Sequence, residues 1–339
     1  MNERISWIDS VKGVAMLLVI AIHLCGLSSP IIYLCYGFMA VFYIVSGYTH
    51  ASRTPISNQI AKKTKRFFIP CLFYGILGIC IYVLCHDGTD YIRALFGLIY
   101  GRWALYPIDH EGENVLFLGE CNPVTPLWFL YSLYISYLIF YAYKKFSNYR
   151  LVFILLLSLL ALASVYKPIL FPWSLDTAPL TALFIIFGDF LSTTHLFATA
   201  DKNRKLLFLS LIVLGLLYYV LCKINLMPNL ALGIYGKYGL YSVFLYFIIG
   251  VLDAIILSLS CLIVDKTFIG KFLSYTGRHS LRLMCIHWII GDAVILCLND
   301  SVSKYVALFI SLVIIYLIDA LVSKVCSLWK NDFSLMKYI

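Results

Sequence analysis

Apolar stretches of membrane-spanning length recur along almost the whole chain, separated for the most part by short polar connections. A helix needs about 20 mostly apolar residues to cross a bilayer. On that measure the pattern predicts ten spans, at 7–26, 31–50, 67–85, 126–143, 150–166, 178–197, 205–222, 239–262, 281–298 and 304–323. The strands of a membrane barrel would instead alternate polar and apolar residues in shorter segments. The fold class expected is therefore all-α and polytopic, about ten transmembrane helices around a central cavity, in a single membrane-embedded domain over residues 1–339.

Composition strengthens this picture. Of 339 residues, 62% are hydrophobic and 13% charged, the latter about half the share in an average soluble domain. The net charge of +9 would by itself fit a nucleic-acid partner, but its distribution argues for topology. With the N-terminus inside, the inner segments hold most of the 26 lysines and arginines, and the outer segments hold Arg93, Arg102, Lys167, Lys223, Lys237 and Lys304. That asymmetry is the positive-inside rule. It places both termini in the cytoplasm and needs only membrane lipids as the basic residues' partner, no nucleic acid. Glu3 and Asp9 interrupt the N-terminal region and no small-residue cleavage site follows, so the first helix is expected to be retained. Most of the 11 cysteines fall within spans and none forms a C-x-x-C pair; they read as inert small apolar groups. Cys85 and Cys121 bracket the long outer loop, and whether they pair is left open by spacing alone.

That loop, residues 86–125, is extracytoplasmic on this topology. It combines Asp87, Asp90, Asp109, Glu111, Glu113 and Glu120 with Tyr100, Trp103 and Tyr106. Rings stack on the apolar faces of sugars and carboxylates accept hydroxyl protons, so the mixture suits a hydroxyl-rich ligand; a solvated acidic loop with interfacial rings is the plainer reading. A second outer loop, 167–179, ends at the next span and carries Asp176, either an N-cap for that helix or a substrate contact. On the inner side AKKTKRFFIP (61–70) leads into the third span. It reads as a lipid-headgroup anchor, with Arg66 also placed to face inward as a phosphate ligand. There is no phosphate-binding glycine loop, no H-E-x-x-H and no nucleophile elbow. The seven histidines lack metal-ligand spacing, so no metal is expected.

The first span carries the most informative polar pattern. Lys12 and His23 are eleven residues apart, almost three whole turns, so they project from nearly one face roughly 16 Å apart along the axis. Asp9, three residues before Lys12, is its neighbour on that face. Ionisable side chains within a span are costly in hydrocarbon and point to a functional interior. His23 is a candidate general base, or a buried histidine bonded to a neighbouring helix. Lys12 lines a cavity or snorkels to the inner headgroups, and Asp9 orients Lys12 or complements the helix dipole. Ser46 packs beside a glycine or lines the site. Trp128 is an interfacial or a substrate-stacking ring, and His287, mid-span, needs a partner.

Taken in order, several segments resemble the membrane acyltransferase-3 family of bacterial O-acyltransferases. Lys12-x10-His23 is similar to that family's signature of a basic residue, ten residues and a histidine. FYIVSGY (42–48), Arg66-Phe-Phe-Ile-Pro70, PLWFL (126–130) and YTGRHSLRLMCIH (275–287) resemble further family segments, and 174–190 is similar to a fucose-acetylase-like branch. The chain departs from the pattern in two places: the signature cation is lysine, which loses a bidentate phosphate contact, and Val-Thr-Pro before Leu127 lacks the histidine often found ahead of the tryptophan. No appended extracytoplasmic hydrolase-like domain is expected.

The resemblance implies a multi-pass protein of the bacterial cytoplasmic (inner) membrane. It implies transfer of an acetyl or other acyl group from cytoplasmic acyl-CoA, acetyl-CoA as co-substrate, to a hydroxyl of an extracytoplasmic glycan or lipid-linked saccharide. On that reading His23 is the base with Asp9 in support, while Lys12, Arg66 and Ser46 hold the donor. Trp128, Glu120, Asp176 and His287 are the acceptor-side candidates. The competing reading is a transporter or flippase of a lipid-linked sugar or small polar molecule, without acyl chemistry.

Overall fold

The computed structural model describes residues 5–26, 32–33, 35–50, 55–86, 90–105, 122–226, 228–298 and 302–329. These fold into twelve α-helices: α1 (Ser6–Cys25), α2 (Phe38–Tyr48), α3 (Ile56–Cys85), α4 (Tyr91–Tyr100), α5 (Trp128–Lys145), α6 (Arg150–Ala163), α7 (Ala178–Thr193), α8 (Leu196–Lys202), α9 (Arg204–Asn225), α10 (Leu240–Val264), α11 (Phe268–Leu298) and α12 (Lys304–Trp329). Among the described residues nine helical segments are long and apolar enough to cross a membrane. The protein is an all-α polytopic membrane protein.

The bundle has an inner and an outer layer. In the spans built on α5 and α7, 72% of the apolar window is buried; in those built on α6 and α9 the figure is 17%. Leu209, Ile212 and Leu216 of α9 face outward, a surface that suits hydrocarbon. Helices α1, α2, α5, α7, α10 and α11 therefore enclose the core.

Two crossings fix how the inner helices meet. A Cβ on Gly277 would lie 1.7 Å from the Asp9 carbonyl oxygen, and one on Gly13 would lie 2.0 Å from that of Leu273. Helices α1 and α11 thus touch backbone to backbone, the close approach that small residues permit in membranes. Ser10 Oγ adds a bond to the Gly270 carbonyl at 3.1 Å. At the second crossing, a Cβ on Gly47 of α2 or Gly188 of α7 would come within 1.9 Å of the opposing backbone oxygen.

Four elements differ from the hydropathy expectation. Helix α3 begins at Ile56 rather than at 67, its first turns running through the basic stretch read as the lead-in to the span. Helix α11 begins at Phe268 rather than near 281, because its first turns carry polar side chains that bond to a buried carboxylate on α12. Tyr275 OH (2.9 Å), His279 Nδ1 (2.7 Å) and Arg282 Nη1 (3.1 Å) all meet Asp319, which is fully buried. Helix α2 has 11 residues, about 16 Å, where a span of about 20 residues was expected at 31–50. Helix α4 lies in the stretch read as an outer loop. Asp90 caps it by accepting from the Ile92 and Arg93 N–H groups, and Gly101 ends it in the left-handed conformation at φ 72°.

Candidate functional site

Because α1 and α11 cross at Gly13 and Gly277, positions ten residues further along each helix also meet. These are His23 and His287. His23 Nδ1 lies 2.8 Å from His287 Nε2. The ring planes differ by 10° and the centroids are 5.1 Å apart. Stacked faces stand about 3.5 Å apart or more, so the 2.8 Å contact means that the rings meet edge to edge in nearly one plane. His287 is fully buried, and its Nδ1 faces the Met284 and Leu283 carbonyl oxygens at 2.9 and 3.1 Å. Trp288 lies edge-on to His23, centroids 4.6 Å apart. His23 itself is half-buried, and its Nδ1 is the nitrogen bonded to α11.

The 2.8 Å separation of the two nitrogens is that of a hydrogen bond. No group of three metal-ligating side chains occurs among the described residues.

One end of α1 supplies charge. Lys12 Nζ is 3.5 Å from Asp9 Oδ1, with the Asp9 side chain 5% exposed and that of Lys12 26%. Trp7 packs against Tyr48 at the end of α2, centroids 5.7 Å apart, so the start of α1 and the end of α2 share one end of the bundle. A second basic layer lies at the end of α2. Lys63 Nζ sits 3.6 Å over the Tyr137 ring, and Tyr137 OH donates to the Ser46 carbonyl at 3.3 Å. His50 meets Phe140 edge-on at 4.9 Å. Burial holds His50 below its ordinary pKa, with Asp189 opposing the shift and Lys144 and Lys63 adding to it. Arg66 is exposed on α3; the inward-turned cation is Lys63, three residues earlier.

The expected acceptor-side residues are dispersed. Trp128 is 7% exposed and packs in the core against Phe129. Glu120 lies outside the described residues, as does Cys121 of the considered Cys85–Cys121 bridge. His287 commits its Nε2 to His23. Asp176 is buried in an ion-pair knot: one carboxylate oxygen bonds Arg102 Nη2 and the other lies 3.3 Å from Lys167 Nζ. Arg102, 1% exposed, also donates to the carbonyls of Phe171 and Ala231, and Lys167 donates to those of Ser164 and Gly233. Burial pushes the Lys167 ammonium below its ordinary pKa, with Asp176 opposing that shift. The knot ties together three connections, around residues 102, 167–176 and 231–233.

A cleft of about 290 Å³ opens at the start of α1, lined by Trp7, Tyr48, Phe197, Asp201, Arg204 and Lys266 among others. Trp7 precedes His23 by sixteen residues. At 3.6 residues per turn the two side chains leave α1 roughly 160° apart, so this cleft opens on the face away from the histidines.

Sequence reasoning missed Lys63, Arg102 and the pairing of the two histidines. One signal was available: each histidine follows a glycine by ten residues, Gly13 to His23 and Gly277 to His287.

The comparisons with known proteins agree with the resemblance. A family model described as an acyltransferase domain matches residues 5–321. No curated protein and no solved structure matches the chain. With nearly its whole length matched and its helices of membrane-spanning length, the chain belongs to the acyltransferase-3 family and is a membrane acyltransferase.

Proposed function

We propose that the protein transfers an acetyl group from acetyl-CoA, supplied at the end of the bundle where α1 begins, to a hydroxyl of a glycan or lipid-linked saccharide on the other side of a bacterial inner membrane. The observation that carries this reading is the placement of His23: half-buried among inner helices, held at Nδ1 by α11, and about 16 Å along α1 from the Lys12–Asp9 pair. In the step envisaged, the acceptor oxygen forms a bond to the thioester carbonyl carbon while His23 Nε2 removes its proton. The carbon–sulfur bond then breaks, and the CoA thiolate leaves and receives that proton from Nε2. An imidazole suits both transfers because its ordinary pKa of about 6.5 lies near working pH. Lys12 and Lys63 supply positive charge for the CoA phosphates, with Ser46 joined to Lys63 through the Tyr137 side chain. Lysine meets a phosphate as a point charge.

The test uses membranes containing the full-length protein and acetyl-CoA labelled in the acetyl group. Wild type should place label in the glycan and lipid-linked fractions and release free CoA. His23→Gln should do neither while reaching the same amount in the membrane. Transfer at the wild-type rate by that variant would remove His23 from the chemistry.

A further inference from the structure

We infer that His287 is a positioning residue that fixes which nitrogen of His23 is basic. The inference rests on His23 being the base, and it adds the device that makes it one.

The argument runs inward from the backbone of α11. Among the described residues His287 Nδ1 faces only carbonyl oxygens, those of Met284 at 2.9 Å and Leu283 at 3.1 Å. A carbonyl oxygen accepts and never donates, so Nδ1 carries the proton and the neutral ring keeps its lone pair on Nε2. The group facing that lone pair is His23 Nδ1, 2.8 Å away. It must therefore be the donor. With its own Nδ1 protonated, neutral His23 presents its lone pair on Nε2, the nitrogen pointing away from α11. The tautomer of the reactive imidazole is thus set, through one intermediary ring, by the main chain of the neighbouring helix.

The surroundings hold this arrangement. The near-coplanar rings aim the N–H along the lone pair. Trp288 stands edge-on to His23 and limits rotation of its ring. Full burial of His287 keeps other groups from competing for Nε2. The glycine crossing sets the spacing, since Gly13 and Gly277 each lie ten residues before the paired histidines.

The logic is that of a base oriented by a third group, with a neutral imidazole where soluble enzymes commonly use a carboxylate. A neutral partner is less costly to bury in a membrane core than a charged one. When Nε2 takes the acceptor's proton, the positive charge of His23 is met by the His287 lone pair across the same hydrogen bond.

The test compares His287→Phe, His287→Gln and His23→Gln in the full chain, with acetyl-CoA as the varied substrate. The glutamine amide oxygen reaches about where Nε2 stood and can accept from His23 Nδ1; phenylalanine fills the space and accepts nothing. His287→Phe should lower kcat about tenfold or more while KM for acetyl-CoA stays within about twofold, by analogy with the loss of other orienting groups. His287→Gln should recover most of that kcat. A purely structural histidine would give the reverse order or a parallel loss of folded protein, read by detergent-solubilised melting. Equal kcat for wild type and His287→Phe, with His23→Gln inactive, would overturn the positioning role and leave the base intact. Full activity of His23→Gln would overturn both.

Discussion

Two interior polar clusters of this protein, an Arg–Asp–Lys knot and a pair of imidazoles, differ in what their polar atoms are used for. In the Arg102–Asp176–Lys167 knot, each Arg102 nitrogen and the Lys167 ammonium meets a carbonyl or the shared carboxylate. In the His23–His287 pair, the donors and acceptors are used in sequence up to one atom, Nε2 of His23. The first cluster ties three connections together. The second leaves a lone pair directed away from the helix that holds it. Charges that meet one another mark a structural device, and a single lone pair without a partner among the described residues, at the end of a fixed chain of hydrogen bonds, marks a chemical one.

Breaking the knot should therefore cost stability and spare chemistry. Arg102→Met leaves Asp176 and Lys167 buried with a partner removed, a loss of about 3–5 kcal/mol. It should appear as a lower melting temperature in detergent with unchanged kcat per folded molecule. Replacing all three residues by Met, Leu and Met should cost less than the single change, since an apolar cluster leaves no charge unpaired. If Arg102→Met melts normally yet loses transfer, the knot belongs to the active site and the comparison fails.

A smaller effect is expected at the crossing that sets the histidine spacing. A methyl at Gly277 meets the Asp9 carbonyl, and forcing such a contact costs about 1–3 kcal/mol. Gly277→Ala should lower kcat in the manner of His287→Phe, because moving α1 off α11 lengthens the 2.8 Å bond. The same change at Gly188, which serves the α2–α7 crossing, should lower stability without that kinetic signature. Measuring melting and kcat for both variants separates the two crossings.

The smallest effect concerns α4, which leads directly into Arg102. Asp90 caps its first turn, and Asp90→Ala should cost about 1 kcal/mol. The loss should leave Arg102 in place, its partners lying on other connections. A loss as large as that of Arg102→Met would show that α4 and the knot fold as one unit.

Much of the fold is legible in the chain because hydrocarbon imposes a simple rule, and α1, α5, α6, α9, α10 and α12 fall close to the apolar runs that predict them. The rule fails where polar side chains are satisfied by another helix. Residues 268–280 of α11 read as a connection because Tyr275 and His279 look solvent-bound, whereas Asp319, forty residues on, accepts from both. Helix α2 is shorter than its apolar run, which continues through residues packed elsewhere, such as Cys35 and Tyr36. At the site, Lys12 beside Asp9 follows from helical spacing alone. The His23–His287 bond joins residues 264 apart, and its one local trace, a glycine ten residues before each histidine, does not say that the two helices meet. Arg102 was counted only as an exception to the charge asymmetry. Its sequence neighbours do not reveal that Asp176 awaits it.

The central claim is that His23 Nε2 moves the acceptor's proton. The most direct test is the rate of acetyl transfer in a single turnover by wild type and His23→Gln, both preloaded with labelled acetyl-CoA to equal occupancy. Loss of general-base catalysis predicts a rate lower by about 10² to 10⁴ at unchanged donor occupancy. Equal rates in the two proteins would contradict the account.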